Sequence, residues 1–208
     1  MDPIGAPPKR IGVLGGTFDP IHVGHLIAAS EAAHAFELGR VLFVPAARPW
    51  QKSSYSDPED RFMMTMLAIE GHGHFAASRI ELDRRGPTYT ADTMMQLRDF
   101  YGEDTSLYFI AGADAIANVG TWEKLDALRD LAEFIAVTRG GVATPELPDD
   151  ARLPHIHDLT IPGVDISATD IRRRVAAGLP IDFLVPERVA SYIRSHGLYQ
   201  DTHAREAS

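Results

Sequence analysis

From residue 11 to residue 25 the chain reads Ile11-Gly12-Val13-Leu14-Gly15-Gly16-Thr17-Phe18-Asp19-Pro20-Ile21-His22-Val23-Gly24-His25. The apolar run of Ile11, Val13 and Leu14 stops at Gly15-Gly16, as a buried parallel strand ending in a turn does. From His25 onward Leu26, Ala29, Ala33 and Phe36 recur at helical spacing, and Gly39 supplies a stop. Strand, glycine turn and helix in that order predict the opening unit of an α/β domain. Glycines at such a turn let backbone N–H groups approach an anion without interference from Cβ atoms. The helix that follows points its positive end at the same spot.

The alternation continues outward from this unit. Val41-Leu42-Phe43-Val44 reads as a second strand, followed by a polar loop from Pro45 to Ser56 that holds Arg48, Trp50 and Lys52. Asp57-Pro58 has the form of an N-cap with proline at the first helical position, opening a helix with Phe62, Met63, Met66, Leu67 and Ile69. Phe75 to Leu82 is expected as a strand, Thr90 to Tyr101 as a helix, and Leu107 to Ile110 as a strand ending at Gly112. A helical stretch with Trp122, Leu125, Leu128 and Leu131 precedes a strand at Phe134 to Val137, and Gly140 to Pro154 is a Gly/Pro/acid-rich loop. A last strand near Ile156 to Ile161 leads to helices at Ala168 to Ala177 and at Pro186 to His196, the latter closed by Gly197. Repeated β-then-α units predict a doubly wound parallel sheet with helices on both faces and a small helical part at the C-terminus. Right-handed crossovers then align the strand-to-helix turns along one edge, where ligands of such sheets bind. A single domain over 9–200 is expected, with flexible ends at 1–8 and 201–208.

Bulk composition narrows the chemistry. The 208 residues suffice for one continuous core, and 45% hydrophobic with 24% charged residues is ordinary for a folded domain. A formal charge of −9 disfavours a nucleic-acid polymer as the main ligand, because a phosphate chain needs a basic surface, while leaving a small anion in a local positive pocket open. Cysteine is absent, which removes disulfides, thiolate metal sites and a cysteine nucleophile, and fits a reducing compartment. Neither a signal-peptide layout nor an apolar run long enough to span a bilayer is present, so the expected location is the cytoplasm, away from any membrane. A homo-oligomer is left open.

His22 and His25, three positions apart at the helix entrance, can both face a triphosphate, donating hydrogen bonds and, when protonated, positive charge. Two common nucleotide motifs are missing: there is no G-x-x-x-x-G-K-[ST], and Gly12, Gly15 and Gly16 do not fit G-x-G-x-x-G. Far along the chain, Ile166-Ser167-Ala168-Thr169-Asp170-Ile171-Arg172 brings two helix-entrance hydroxyls, Ser167 and Thr169, together with the forked guanidinium of Arg172, a good partner for phosphate oxygens. The His72/His74 pair lacks a nearby third ligand and reads as a solvated loop; no metal site is expected.

These two segments, Gly-Gly-Thr-Phe-Asp-Pro-x-His-x-Gly-His and Ile-Ser-x-Thr-x-Ile-Arg, resemble the two signatures of the nucleotidylyltransferase superfamily. Pro87-Thr88-Tyr89-Thr90, continuing to Asp92-Thr93, and Gly112-Ala113-Asp114 followed by Trp122, are similar to segments that mark the nicotinate mononucleotide adenylyltransferases within it. Leu184-Val185-Pro186-Glu187 and Ser195-His196-Gly197-Leu198-Tyr199 also look familial. The resemblance implies transfer of the adenylyl group of ATP to nicotinate mononucleotide, giving deamido-NAD and pyrophosphate, on a Rossmann-like fold. It implies His22, His25, Lys52 and Arg172 as the catalytic groups. It places ATP against Gly15, Gly16, Thr17, Phe18, Gly112, Ser167 and Thr169, with Asp114 on the adenosine ribose and Arg139 at the adenine or phosphate end. The nicotinate mononucleotide is expected against Thr88, Tyr89, Thr90 and Trp122, its carboxylate on helix-end N–H groups and its ring on the indole. Mg2+ is expected to travel with ATP. Arg48-Pro49-Trp50-Gln51 departs from the commoner Pro-Pro-His pattern of the family.

Overall fold

The computed structural model describes residues 8–47, 56–86, 88–141 and 153–200. Six strands lie in one wholly parallel sheet: β1 (Arg10–Gly16), β2 (Arg40–Pro45), β3 (Phe75–Ala77), β4 (Ser106–Gly112), β5 (Glu133–Arg139) and β6 (Ile156–Ile161), in the order β3-β2-β1-β4-β5-β6. β1 and β4 are neighbours in the sheet although β2 and β3 intervene in sequence, so the winding reverses between them. The carboxyl ends of β1 and β4 therefore flank the crevice in which doubly wound sheets take their ligands.

Side-chain alternation along each strand builds the two layers. On one face Leu14, Val41, Phe43, Tyr108, Ile110 and Ile135 are buried by α1 (Val23–Ala35), α2 (Pro58–Ile69), α6 (Ala168–Ala176) and α7 (Glu187–His196). On the other face Ile11, Val13, Leu42, Val44, Leu107, Phe109 and Phe134 pack under α3 (Thr90–Tyr101), α4 (Ala113–Ala117) and α5 (Leu125–Leu131). The C-terminal α7 is an integral member of the first layer: it packs on α2, with the Tyr192 hydroxyl donating to Asp60 at 2.8 Å and Arg188 paired with Glu70.

Local chemistry accounts for most boundaries. Asp57 caps α2 by accepting from the Glu59 N–H at 2.9 Å, with Pro58 at the first helical position, as expected. Gly197 ends α7 in the left-handed conformation at φ 61°. Two expectations need correction. The third strand ends at Ala77 instead of Leu82. It lies at the sheet edge, with only three residues paired to β2, and the chain then turns, held by an Asp83 N–H to Arg79 carbonyl bond of 2.9 Å and by the two-pronged Arg79–Glu59 ion pair. Trp122 is not helical: α4 and a 3-10 turn at Val119–Thr121 precede it, and its backbone is extended. Edge-to-face contact with Phe109 and a tilted contact with Phe134 draw its indole toward the sheet.

Candidate active site

β1 delivers the glycine turn to the switch point, and two cavities open on either side of it. The first, about 750 Å³, is lined by Gly15, Gly16, Thr17, Phe18, Asp19, His22, His25, Gly112, Arg139, Ser167, Thr169 and Arg172, with Ile27, Val137, Ile161 and Val164 on its apolar wall. The second, about 620 Å³, is lined by Thr88, Tyr89, Thr90, Asp114, Trp122, Glu81, Asn118 and Glu123. Gly15, Gly16, Thr17, Ala111 and Ala115 border both. Of the residues singled out in the sequence, those assigned to ATP thus gather in the first cavity, except Asp114, which lines the second beside the shared Ala115. Those assigned to the mononucleotide gather in the second. Lys52, Arg48 and Trp50 lie outside the described residues.

Close packing explains the glycines. A Cβ on Gly16 would sit 2.8 Å from the Phe18 ring, and one on Gly15 would lie 3.2 Å from Phe109. Phe18 itself is buried with φ 51°, a left-handed backbone uncommon for an aromatic residue. The turn is braced from beneath by Arg61 of α2, which is completely buried. Its Nη1 donates to the Thr17 carbonyl at 2.8 Å and to the Ala46 carbonyl at 2.7 Å, and its Nη2 to the Ala47 carbonyl at 3.3 Å. One guanidinium thereby ties together the turns that follow β1 and β2.

His22 is the N-cap of α1, and its backbone N–H donates to Nδ1 of His25 at 3.2 Å. With Nδ1 used as acceptor, neutral His25 carries its proton on Nε2. The two imidazoles stack, centroids 3.7 Å apart. Gly24 permits this, since a Cβ there would come within 3.1 Å of the His22 ring. Burial, with the charge of Arg139 adding to it, lowers the His22 pKa from 6.5 to about 4. Near pH 7 it is therefore a neutral imidazole, 6% exposed, whose Nδ1 has no hydrogen-bond partner among the described residues.

Positive potential in the first cavity comes from elsewhere. The N-termini of α1 and α6 both open onto it, as do Arg139 and Arg172. Arg172 is held by two bonds, Nη1 to the Asp19 carbonyl at 2.6 Å and Nη2 to Thr169 Oγ1 at 3.1 Å. Arg139, the last residue of β5, stands 3.5 Å from the exposed Asp165. Ser167 caps α6 by accepting from the Asp170 N–H at 3.1 Å. Its hydroxyl is thus committed to the helix, and the neighbouring backbone N–H groups face the cavity wall.

In the second cavity Tyr89, not Thr90, is the N-cap of α3, and it makes no side-chain cap. A helix start without a capping side chain has N–H donors to offer a ligand. Opposite stands Trp122. Lys124 spans the rim, paired with Asp92 at 2.5 Å and 5.7 Å from the Tyr89 ring centroid. Sequence reading missed Glu81. It accepts from the Thr93 hydroxyl at 2.9 Å and from Thr88, and Arg84 donates to the same Thr93 oxygen at 3.1 Å. Burial raises its pKa, which these hydroxyls and Arg84 partly offset. The expected strand Phe75 to Leu82 includes it, whereas the strand ends at Ala77, and an acidic residue seven positions before Thr88 carries no periodic signal.

The reversal point of the sheet joins a cationic cavity to a second, aromatic-walled one, an arrangement with room for two ligands side by side. The chain belongs to the cytidylyltransferase-like family, whose model matches residues 13–174. Among curated relatives, it is 49% identical over 196 residues to a Saccharopolyspora erythraea protein named "probable nicotinate-nucleotide adenylyltransferase", covering 92% of this chain and 90% of that one. A Moorella thermoacetica protein of the same name is 46% identical over 202 residues, with 93% of each chain covered. The fold is similar to that of the Plasmodium falciparum nicotinic acid mononucleotide adenylyltransferase complexed with NaAD, at a TM-score of 0.73, 20% identity, and coverage of 92% of this chain and 97% of that one.

Proposed function

We propose that this chain transfers the adenylyl group of ATP to nicotinate mononucleotide, releasing pyrophosphate and forming deamido-NAD for NAD synthesis. The observation that carries the reading is the pair of cavities sharing one wall at Gly15, Gly16 and Thr17. Two substrates bound on either side of that wall meet where the backbone N–H groups of the turn are exposed. The names of relatives nearly half identical over nine-tenths of the chain support the same activity.

In this reading ATP occupies the first cavity, its adenine end toward the apolar wall and its phosphates toward the two helix N-termini. An oxygen of the acceptor's phosphate attacks the α-phosphorus in line. A bond forms between that oxygen and phosphorus, the bond from the α-phosphorus to the oxygen bridging to the β-phosphate breaks, and pyrophosphate leaves with the electron pair. The nucleophile is already ionised, so no strong general base is needed, and catalysis reduces to positioning and charge stabilisation. His25 Nε2–H, neutral His22 and the turn amides serve the α- and β-phosphates; Arg172 and Lys52 serve the leaving pyrophosphate. The nicotinate carboxylate takes N–H donors at the start of α3, and the pyridine ring lies on Trp122. Among the described residues no three His, Asp or Glu side chains group closely enough to hold an ion. In this reading magnesium enters on the triphosphate, as part of the substrate. Also among the described residues, no helix is long and apolar enough to cross a membrane; we place the enzyme in the cytoplasm.

The test mixes the protein with ATP, magnesium and one of three acceptors: nicotinate mononucleotide, nicotinamide mononucleotide or phosphopantetheine. Pyrophosphate release is then followed. The reading predicts the fastest release with the nicotinate acceptor. Equal rates with the amide, or preference for phosphopantetheine, overturn the acceptor assignment, and no release with any of them overturns the activity.

A further inference from the structure

Asp19 sits inside the glycine-turn motif, yet its carboxylate does not face solvent: the residue is 2% exposed. A buried carboxylate must be matched by donors, because leaving it bare costs far more than a lost surface contact. Two hydroxyls converge on a single oxygen, Oδ1. One is Ser56, just before α2, and the other is Tyr199, 180 residues along the chain, whose hydroxyl donates at 2.6 Å. The same residue's backbone carbonyl accepts from Arg172 at 2.6 Å. Asp19 thus belongs to the first motif, meets the second through Arg172 and meets the C-terminal segment through Tyr199.

Tyr199 is built for this contact. Its backbone is held at φ 60°, in the left-handed region, two residues after the α7 C-cap Gly197. Its ring joins the packing of the α1/α2/α7 layer. Burial, then the charge of Asp19, pushes its phenol well above the usual range, so it stays a proton donor across the working pH. Arg61 fixes the backbone two residues earlier, at the Thr17 carbonyl. The phenol adds an anchor to the same turn at Asp19 Oδ1.

We propose that Tyr199 is a positioning residue of the nucleotide site: by holding the Asp19 carboxylate it fixes the Asp19 carbonyl that aims the Arg172 guanidinium into the ATP cavity. It touches no substrate and acts through Asp19 and Arg172. The proposal rests on the adenylyl-transfer reading above.

The test is a kinetic cycle of wild type, Tyr199→Phe, Arg172→Ala and the double variant. Enzyme concentrations are set high enough to follow slow variants. Tyr199→Phe is expected to lower kcat/KM for ATP by about tenfold, the size of losing one charge-assisted hydrogen bond, with KM for the mononucleotide within about twofold of wild type. In the Arg172→Ala background the same replacement is expected to cost less than about twofold, because the group it aims is gone. Equal losses in both backgrounds overturn the proposal. So does a Tyr199→Phe protein whose thermal midpoint falls while its kcat/KM for ATP is unchanged, the mark of a purely structural tyrosine. Ser56→Ala, which removes the other donor from the same oxygen, gives the same cycle if the tyrosine variant does not fold. If wild type releases no pyrophosphate with any acceptor, the functional reading has failed. The cycle is then read in the affinity for a non-hydrolysable ATP analogue, where equal losses again reject Tyr199.

Discussion

Replacing His22 by Asn is expected to make the protein's stability less sensitive to acid. In the unfolded chain this imidazole takes up a proton near its ordinary pKa of 6.5, whereas in the folded protein burial and Arg139 hold it to about 4. The folded pKa is depressed, so the unfolded state binds the proton first. Stability is at its full value above about pH 6.5 and drains away as the pH falls toward 4. The whole displacement corresponds to roughly 3 kcal/mol, of which about 2 kcal/mol is already lost at about pH 5. Little solvent screening reduces this, since the ring is 6% exposed. Urea unfolding of wild type and His22→Asn at about pH 7.5 and about pH 5 isolates the effect, because every other titrating group is common to both proteins. Wild type should lose about 2 kcal/mol more than the variant over that interval. Equal losses would mean that His22 titrates normally and is not the neutral imidazole described above.

His25→Ala removes the Nε2–H donor and is expected to lower kcat by tenfold or more, on the order of a lost charge-stabilising bond, with an unchanged circular dichroism spectrum. Near-normal turnover would take His25 out of the mechanism. Arg61→Leu orphans the carbonyls of Thr17 and Ala46, at about 1–3 kcal/mol each, so its urea midpoint should correspond to a loss of about 3 kcal/mol or more. A loss under about 1 kcal/mol would show that water replaces the guanidinium. Glu81→Ala frees Thr88 and Thr93 at the entrance of α3 and is expected to raise KM for the mononucleotide about tenfold while sparing KM for ATP. A fall in that KM would instead mark Glu81 as a charge that repels the acceptor. Gly16→Ala places a Cβ 2.8 Å from Phe18, on the wall common to both cavities, and should raise KM for both substrates. An effect on one alone would contradict the shared wall.

The parts of the molecule that were legible in the sequence are those set by local period and local chemistry. β1 announced itself by an apolar run ending in two glycines, α2 by Asp57-Pro58, and α7 by its closing Gly197. What stayed hidden depends on contacts between distant segments. Arg61 falls inside a helix and reads as an ordinary surface charge; only the carbonyls of Thr17, Ala46 and Ala47, from two other turns, make its full burial tolerable. The hydrogen bond from Tyr199 to Asp19 crosses almost the whole chain. The charge state of His22 is a property of its surroundings, since its residue type alone allows either form at neutral pH. Trp122 was placed in a helix because Leu125, Leu128 and Leu131 follow it at helical spacing, but its packing on Phe109 and Phe134 set its backbone instead.

The distribution of charge between the two cavities bears on which substrate goes where. Although the chain carries a formal charge of −9, the first cavity gathers Arg139, Arg172 and two helix N-termini, and the carboxylate of Asp19 that borders it is occupied by hydroxyl donors. Among the described residues the second is lined by Glu81, Asp114 and Glu123, and Lys124 beside it is paired with Asp92. A triphosphate is therefore favoured in the first and disfavoured in the second. An anionic acceptor can enter the second only if its negative groups avoid the carboxylates, which leaves two places for them: the uncapped start of α3 at one end and the glycine turn at the other. A mononucleotide bearing a carboxylate on its ring and a phosphate on its ribose has anions at those two ends. Seated so, its phosphate lies at Gly15–Thr17, beside the triphosphate across the shared wall, and the two phosphorus centres need no protein nucleophile between them.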